Sequence, residues 1–325
     1  LAGGQAQLLQ DGTVRHLPYD QLILATGAMD RMAPVPGWQS AGVYTLGAAQ
    51  IALKAQGVAL GRQIVLAGSG PLLTLVAWQL QKAGAGLAAV LDTSPLGTQM
   101  RGLPDMLSRP GLVWRGARMR AGLGRLYHAG VQLDRIEVDA TGPTALHWRN
   151  SRGTARITSC DTVGLGWHLR AETYLADLVG IPFEYSRQWA QWLPRVDAMG
   201  RAGKGRYLAG DGVRILGADG AEVAGRLAAI ACLQDLNLPA PSPRRDLKAR
   251  VRMERFARGL ARAFPWPATA VRALSDDTTI CRCENVTARE LRAATELGGS
   301  EANRAKSLGR VGMGRCQGRY CQLIA

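Results

Sequence analysis

Lysine is scarce in this 325-residue chain. Of its 40 Lys and Arg residues, only Lys54, Lys82, Lys204, Lys248 and Lys306 are Lys, so the formal net charge of +15 rests on Arg. A basic chain can bind nucleic acid or an anionic surface, but these Arg residues are scattered. The one local cluster, Arg244-Arg245 through Arg262, reads as the exposed side of a helix. Nucleic acid is therefore not an expected partner. No stretch resembles a signal peptide. The most apolar window, Pro71 to Leu91, is broken by Gln79, Gln81 and Lys82, which makes it a poor membrane span. A cytoplasmic location is expected, with peripheral attachment to the inner membrane as the alternative. No nucleophile–base pair and no paired carboxylates stand out. No catalytic side chain is assigned, as expected where cofactors do the chemistry.

Cysteine is limited to six residues. Without a secretory context, that number favours metal or redox use over disulfides. Cys160 and Cys232 read as small buried residues. The other four form two pairs separated by 32 residues: Cys281-Arg-Cys283, and Cys316 with Cys321 in the run Gly312-Met-Gly314-Arg-Cys316-Gln-Gly318-Arg-Tyr-Cys321. Four converging thiolates can hold a [2Fe–2S] cluster, in which each iron takes two bridging sulfides and two thiolates. Alternate residues of an extended strand share a face, so Cys281 and Cys283 can point the same way. The glycines at 312, 314 and 318 let backbone N–H groups wrap the sulfurs, and Arg282, Arg310, Arg315 and Arg319 add positive potential. A structural zinc site is the alternative. Zinc ribbons, however, usually show C-x-x-C knuckles rather than C-x-C with C-x₄-C. Thr287-Ala-Arg-Glu290 reads as a capping box opening a short helix. Gly298-Gly299 stops it, and Ser300 is placed to cap a second helix.

Upstream, residues 5 to 16 alternate around Asp11-Gly12, a hairpin signal. Leu22-Ile23-Leu24 is a short strand running into the small-residue turn Ala25-Thr26-Gly27, where backbone can approach a flat ligand. Arg62 to Ala67 predicts a strand, Gly68-Ser-Gly70-Pro71 a turn, Leu72 to Ala83 a helix, and Gly86 to Leu91 a second strand closed by Asp92. This is the order of a dinucleotide fold. The helix N-terminus suits a pyrophosphate, and Asp92 is placed for ribose hydroxyls, favouring NAD over NADP. The third glycine position is Leu73, which widens the helix–strand packing. A retained fold with an altered pocket is the alternative. Runs at Val113–Arg115, Val131–Val138 and Ala145–Trp148 read as antiparallel strands. Cys160 to Gly166 echoes Tyr19 to Gly27. His168, alone in a loop, reads as structural. Gly210-Asp211 follows another buried strand and leads into an Ala-rich helix; Asp211 reads as a ligand to a cofactor hydroxyl or as an N-cap. A Pro-rich boundary at 237–246 precedes an amphipathic basic helix.

Leu24-Ala25-Thr26-Gly27 followed by Pro34-Val-Pro36-Gly37 resembles the strand and exit loop of two-dinucleotide-domain flavoproteins. The Gly312–Cys321 run is similar to the bacterioferritin-associated-ferredoxin-like (BFD-like) [2Fe–2S] domain. Its form is that fused behind the paired nucleotide domains in the large (α) subunits of hydrogen cyanide synthase, opine oxidase and hydroxyproline or proline dehydrogenase complexes. The resemblance runs from Leu24 to Cys321. It implies an α/β fold, with one Rossmann-like domain inserted in another and a small helical BFD-like domain. The expected parts are 1–58 and 160–240 (FAD-binding domain), 59–159 (NAD(P)-binding-like domain), 241–275 (linker helix) and 276–325 (BFD-like domain). It implies FAD at Ala25, Thr26, Gly27, Gly210 and Asp211, NAD(P) or ATP at Gly68, Gly70, Pro71 and Asp92, and a [2Fe–2S] cluster on Cys281, Cys283, Cys316 and Cys321. The implied activity is that of an FAD-dependent oxidoreductase subunit. A smaller flavin-containing subunit would oxidise an opine, hydroxyproline, proline or glycine-type substrate, and the terminal acceptor stays open. The rival readings are an NAD(P)H-dependent reductase feeding a protein partner, and a zinc-bound scaffold. The family begins with a Gly-rich turn that grips the FAD pyrophosphate and would lie upstream of Leu1, and a helix usually follows beyond Ala325. The sequence thus reads as a fragment, truncated at both ends and inactive alone.

Overall fold

A computed structural model describes residues 4–299 and 301–324. Two compact units emerge from the chain's contacts. One holds the residues up to Met29, Leu103–Pro110 and Leu169–Ala261; the other holds Asp30–Gly102, Gly111–His168 and the chain from Arg262 onward. Residues 30–58 and 160–168, which the sequence groups with the Thr26-Gly27 strand, thus lie in the unit of the Gly68–Gly70 turn. The cysteine segment lies in that unit too.

In the first unit, Leu22–Leu24 pairs parallel with Arg206–Leu208, and Arg201–Gly203 adds an antiparallel edge. Leu24, Leu208 and Val213 share a small core with Ala176, Val179 and Ile181. The helix Ala218–Asp235 packs its small face, Ala228 and Ala231, on Tyr207 and Ala209. The expected hairpin forms as Gln5–Gln10 against Thr13–Pro18.

In the second unit, five parallel strands lie in the order Val43–Thr45, Thr162–Trp167, Ile64–Ser69, Leu87–Asp92, Tyr127–Ala129. Side chains of successive strand residues alternate between faces. Ile64 and Leu66 accordingly meet the helices Leu46–Gln56 and Pro71–Lys82, through Leu46, Ala49, Leu73, Val76 and Leu80. Val65 and Ala67 meet the opposite core, with Trp38, Ile136, Leu146 and Trp148. Covering both faces explains why the strand Ile64–Ser69 is apolar or small throughout and wholly buried. A three-stranded antiparallel sheet, Gln132–Asp139, Gly142–Arg149 and Ala155–Ser159, supplies Ile136, Leu146 and Trp148.

One sequence expectation fails here. Val113–Arg115 is not a strand but part of the helix Pro110–Leu123. Pro110 suits a first helical turn, and Ala117, Met119, Arg120 and Ala121 are strong helix formers. Three alternating residues could not reveal a 14-residue helix.

The cysteine segment is built from Thr279–Cys281 paired with Val286–Thr287, then the helices Ala288–Gly298 and Ala302–Gly309. The Thr287/Glu290 capping box forms as expected. The expected Ser300 cap lies outside the described residues. Glu301 caps the second helix, its carboxylate accepting from the N–H groups of Asn303 and Arg304. Among the described residues, no helix is long and apolar enough to cross a membrane.

Candidate cofactor sites

The parallel pairing of Leu22–Leu24 with Arg206–Leu208 brings both candidate FAD segments to one strand end. The Ala209 N–H donates to the Leu24 carbonyl at 2.9 Å, which sets Gly210-Asp211 beside Ala25-Thr26-Gly27. Thr26 Oγ1 donates to the Glu172 carbonyl at 2.5 Å, and the Glu172 N–H returns a bond to Gly27 O. A Cβ at Gly212 would lie 2.7 Å from Thr26 Oγ1, so only glycine lets these turns meet. The Asp211 carboxylate accepts from the Leu216 N–H at 2.9 Å, just before the helix Ala218–Asp235. Burial pushes the Asp211 pKa up, against the N–H groups of Leu216 and Gly217 that pull it down.

The four cysteines converge from the two segments: Cys281 and Cys321 share one buried cluster, and Gly314, two residues before Cys316, lies against Cys283. Burial, then the neighbouring Cys281, pushes Cys321 up to about 12. Burial also raises Cys283. Cys316 goes the other way. Burial acts to raise it, but the Cys283 thiol and the N–H groups of Tyr320, Gly318 and Arg319 outweigh that and hold it below the usual thiol range. Glycine at 314 is required by close approach, since a Cβ there would lie 2.3 Å from Cys283 Cβ. Arg310 closes the loop with an ion pair to Glu284 at 2.7 Å. Among the described residues, no three His, Cys, Asp or Glu side chains gather round a single metal position.

The Gly68–Asp92 residues take their expected places at the strand ends and at the start of the helix Pro71–Lys82, with Pro71 in its first turn. Asp92, however, is fully buried. Its Oδ1 accepts from Ser69 Oγ at 2.9 Å and from the Ser94 N–H at 2.8 Å; its Oδ2 accepts from Tyr127 OH at 2.5 Å and from Gln99 Nε2 at 3.4 Å. Burial raises its pKa, and the Tyr127, Ser94 and Ser69 donors, together with the Arg120 charge, oppose the rise. The site therefore does not fit the ribose-binding role expected of this acid.

Over 322 residues the chain is 39% identical to an opine oxidase subunit of Agrobacterium tumefaciens (strain Ach5), covering 95% of this chain and 63% of that protein. It is 35% identical to the corresponding opine oxidase subunit of Rhizobium meliloti (strain 1021), over 93% of this chain and 68% of that one. It is 32% identical to hydrogen cyanide synthase subunit HcnB of Pseudomonas protegens, over 98% and 71%. The chain belongs to the family of these subunits. It spans about three fifths of the length of the A. tumefaciens protein. No protein-family model matches it. Among solved structures, L-proline dehydrogenase from P. horikoshii aligns with a TM-score of 0.67 at 16% identity, over 98% of this chain and 55% of that one. An FAD-dependent pyridine nucleotide-disulphide oxidoreductase from Desulfovibrio vulgaris aligns with a TM-score of 0.50 at 20% identity, over 74% and 60%. At such identities the likeness is one of fold, and it agrees with the parallel α/β architecture above.

Within this family member, several residues around the sites had no sequence signal of their own. Trp38, directly after the Pro34–Gly37 loop, is 1% exposed, and its indole N–H donates to the Thr279 carbonyl at 2.6 Å. Arg282 reaches back to the same loop, donating to Ser40 O at 3.3 Å with its guanidinium 5.9 Å from the Trp38 ring centroid. Tyr127, Arg120 and Gln99 around Asp92 were equally unannounced. A lone Trp after a Pro-Gly turn was the one available hint.

Proposed function

We propose that this chain is the electron-transferring flavoprotein and iron–sulfur subunit of a heteromeric amino-acid or amine dehydrogenase or oxidase. The observation that carries the reading is the convergence of the two cysteine segments: Cys281 and Cys321 share one buried cluster, and Gly314, in the loop of Cys316, lies against Cys283. A [2Fe–2S] cluster takes two thiolates per iron, and donors aimed at sulfur stabilise the thiolate form. The donor set therefore fits the group, and Cys281, Cys283, Cys316 and Cys321 would hold it. Four thiolates can also hold zinc, and the metal and sulfide assay below separates the two. When bound, the cluster carries single electrons and FAD carries two.

The chain's own residues position and polarise. Arg282, tied to Ser40 O, keeps a cation between Cys281 and Cys283 in the sequence, favouring the more negative, reduced state. Trp38 holds the strand that leads into Cys281. Ala25, Thr26, Gly27, Gly210 and Asp211 form one side of a flavin site, where the bond from Thr26 to Glu172 O fixes the turn. The relatives' names support a subunit role. The partner in this reading is a smaller flavin-containing protein that oxidises a C–N bond of an opine, hydroxyproline, proline or glycine-type substrate.

The test is the chain produced with its partner. Iron, acid-labile sulfide and visible absorbance are expected, and Cys316→Ser abolishes all three while leaving the thermal transition of the nucleotide fold in place. Zinc without iron, or normal iron in Cys316→Ser, overturns the assignment.

A further inference from the structure

The unit around Gly68 has the fingerprint of a dinucleotide binder, yet each recognition element is already engaged by this chain. In such binders the second glycine lets the pyrophosphate approach the backbone, and the acid after the next strand holds a ribose hydroxyl. Here the bare face of Gly70 is covered by the His168 ring, whose carbons would lie 3.1 to 3.2 Å from a Cβ at that position. His168 is locked there. Its backbone sits at φ +64°, its N–H donates to Ser69 O, and its Nε2 lies 2.9 Å from Phe264 O. The Phe264 ring meets the imidazole edge-on at 5.8 Å. The acid is spent as well, since Asp92 has four donors on its two oxygens. Both ends of a dinucleotide's recognition are therefore occupied from within.

The segment that supplies Phe264 continues into the cysteine module. Two residues on, Trp266 lies under the Arg31 guanidinium, 3.9 Å from its ring centroid. Trp266, Val271 and Tyr320 pack on the core behind the sheet, and Trp38 bonds Thr279.

We infer that the Gly68–Asp92 unit is closed to NAD(P) and serves as the seat on which the cysteine segment is mounted. The inference does not depend on what the cysteines bind. It removes NAD(P)H as an electron source entering through this unit.

NADH and NADPH are titrated, by calorimetry and NADH fluorescence, into the protein purified with its partner. No saturable signal is expected up to millimolar nucleotide. Saturable binding that Asp92→Asn abolishes would overturn the proposal. Asp92→Asn and the milder Ser69→Ala are expected to lower the thermal midpoint, as befits a structural node. An unchanged midpoint in both would overturn it as well. Iron content, read on the same samples, reports on the cluster reading separately.

Discussion

Gly314→Ala tests how tightly the cysteine loops are drawn together. A Cβ at 314 would sit 2.3 Å from Cys283 Cβ and 3.1 Å from Glu284 Oε1. Cβ atoms move only with their backbone, so rotating a side chain cannot relieve the first contact. Restoring ordinary van der Waals separation takes a retreat of about 1 Å, and overpacking of this kind costs about 1–3 kcal/mol. Glu284 resists the retreat, because Arg310 pairs with it at 2.7 Å. For a unit of this size each kcal/mol moves the midpoint by about 2–4 °C, so a loss of several degrees is expected by calorimetry on metal-free protein. The same displacement parts Cys283 from Cys316, and iron per chain should fall with it. Gly116→Ala is the control. Gly116 sits in the helix Pro110–Leu123 with nothing within 4 Å of a built Cβ, so the variant should gain about 0.5–1 kcal/mol. A Gly314→Ala protein with wild-type midpoint and iron content would refute the packing argument.

Trp38→Phe keeps an aromatic ring in the core and deletes the N–H that Thr279 O accepts. It should cost about 1–3 kcal/mol and speed proteolytic release of the segment after Trp266; an unchanged cleavage rate would show that Trp38 is not an anchor. His168 carries a pH signature. Burial lowers its pKa from 6.5 to about 4, so below pH 6.5 the unfolded chain takes up a proton that the folded chain refuses. The stability from keeping His168 neutral is complete above pH 6.5 and is lost as pH falls toward 4, by about 3 kcal/mol in all. Asn tolerates positive φ, so His168→Asn should flatten that slope in urea titrations run across this range. A slope equal to wild type would mean that the imidazole is solvated.

The elements legible in the sequence are those whose cause is local. The Asp11-Gly12 hairpin and the Thr287/Glu290 box each follow from residues within a dozen positions of one another, and the strand–GxG–helix–strand order from consecutive elements of the single run Ile64–Asp92. The C-x-C and C-x₄-C spacings announced the thiol set for the same reason. What stayed hidden is non-local. Thr26 finds its acceptor 146 residues away, and Trp38 finds Thr279 241 residues away. Which residues of one cysteine segment face which of the other was likewise not written in either spacing. In the fold Cys281 packs with Cys321, and Cys283 lies against Gly314.

Asp92 shows why a motif can be read correctly while its role is not. Strand, turn and acid are where the pattern puts them, because the backbone path of Ile64–Asp92 is dictated by sheet packing. Gly68 is the clearest case. A Cβ there would strike Gly166 O at 1.8 Å, so the neighbouring strand alone demands glycine, with or without a nucleotide. Leu73, buried with Val76 and Leu80, closes the helix onto the sheet in place of a third glycine. Each fingerprint residue thus has a packing reason to be what it is. Ligand binding depends on a different set of residues, those that face the turn. Here Tyr127, Gln99, Ser69 and Ser94 face Asp92, and His168 faces Gly70. None of these is a residue the motif specifies, Ser69 standing at its variable position, and together they fill the positions a dinucleotide would need.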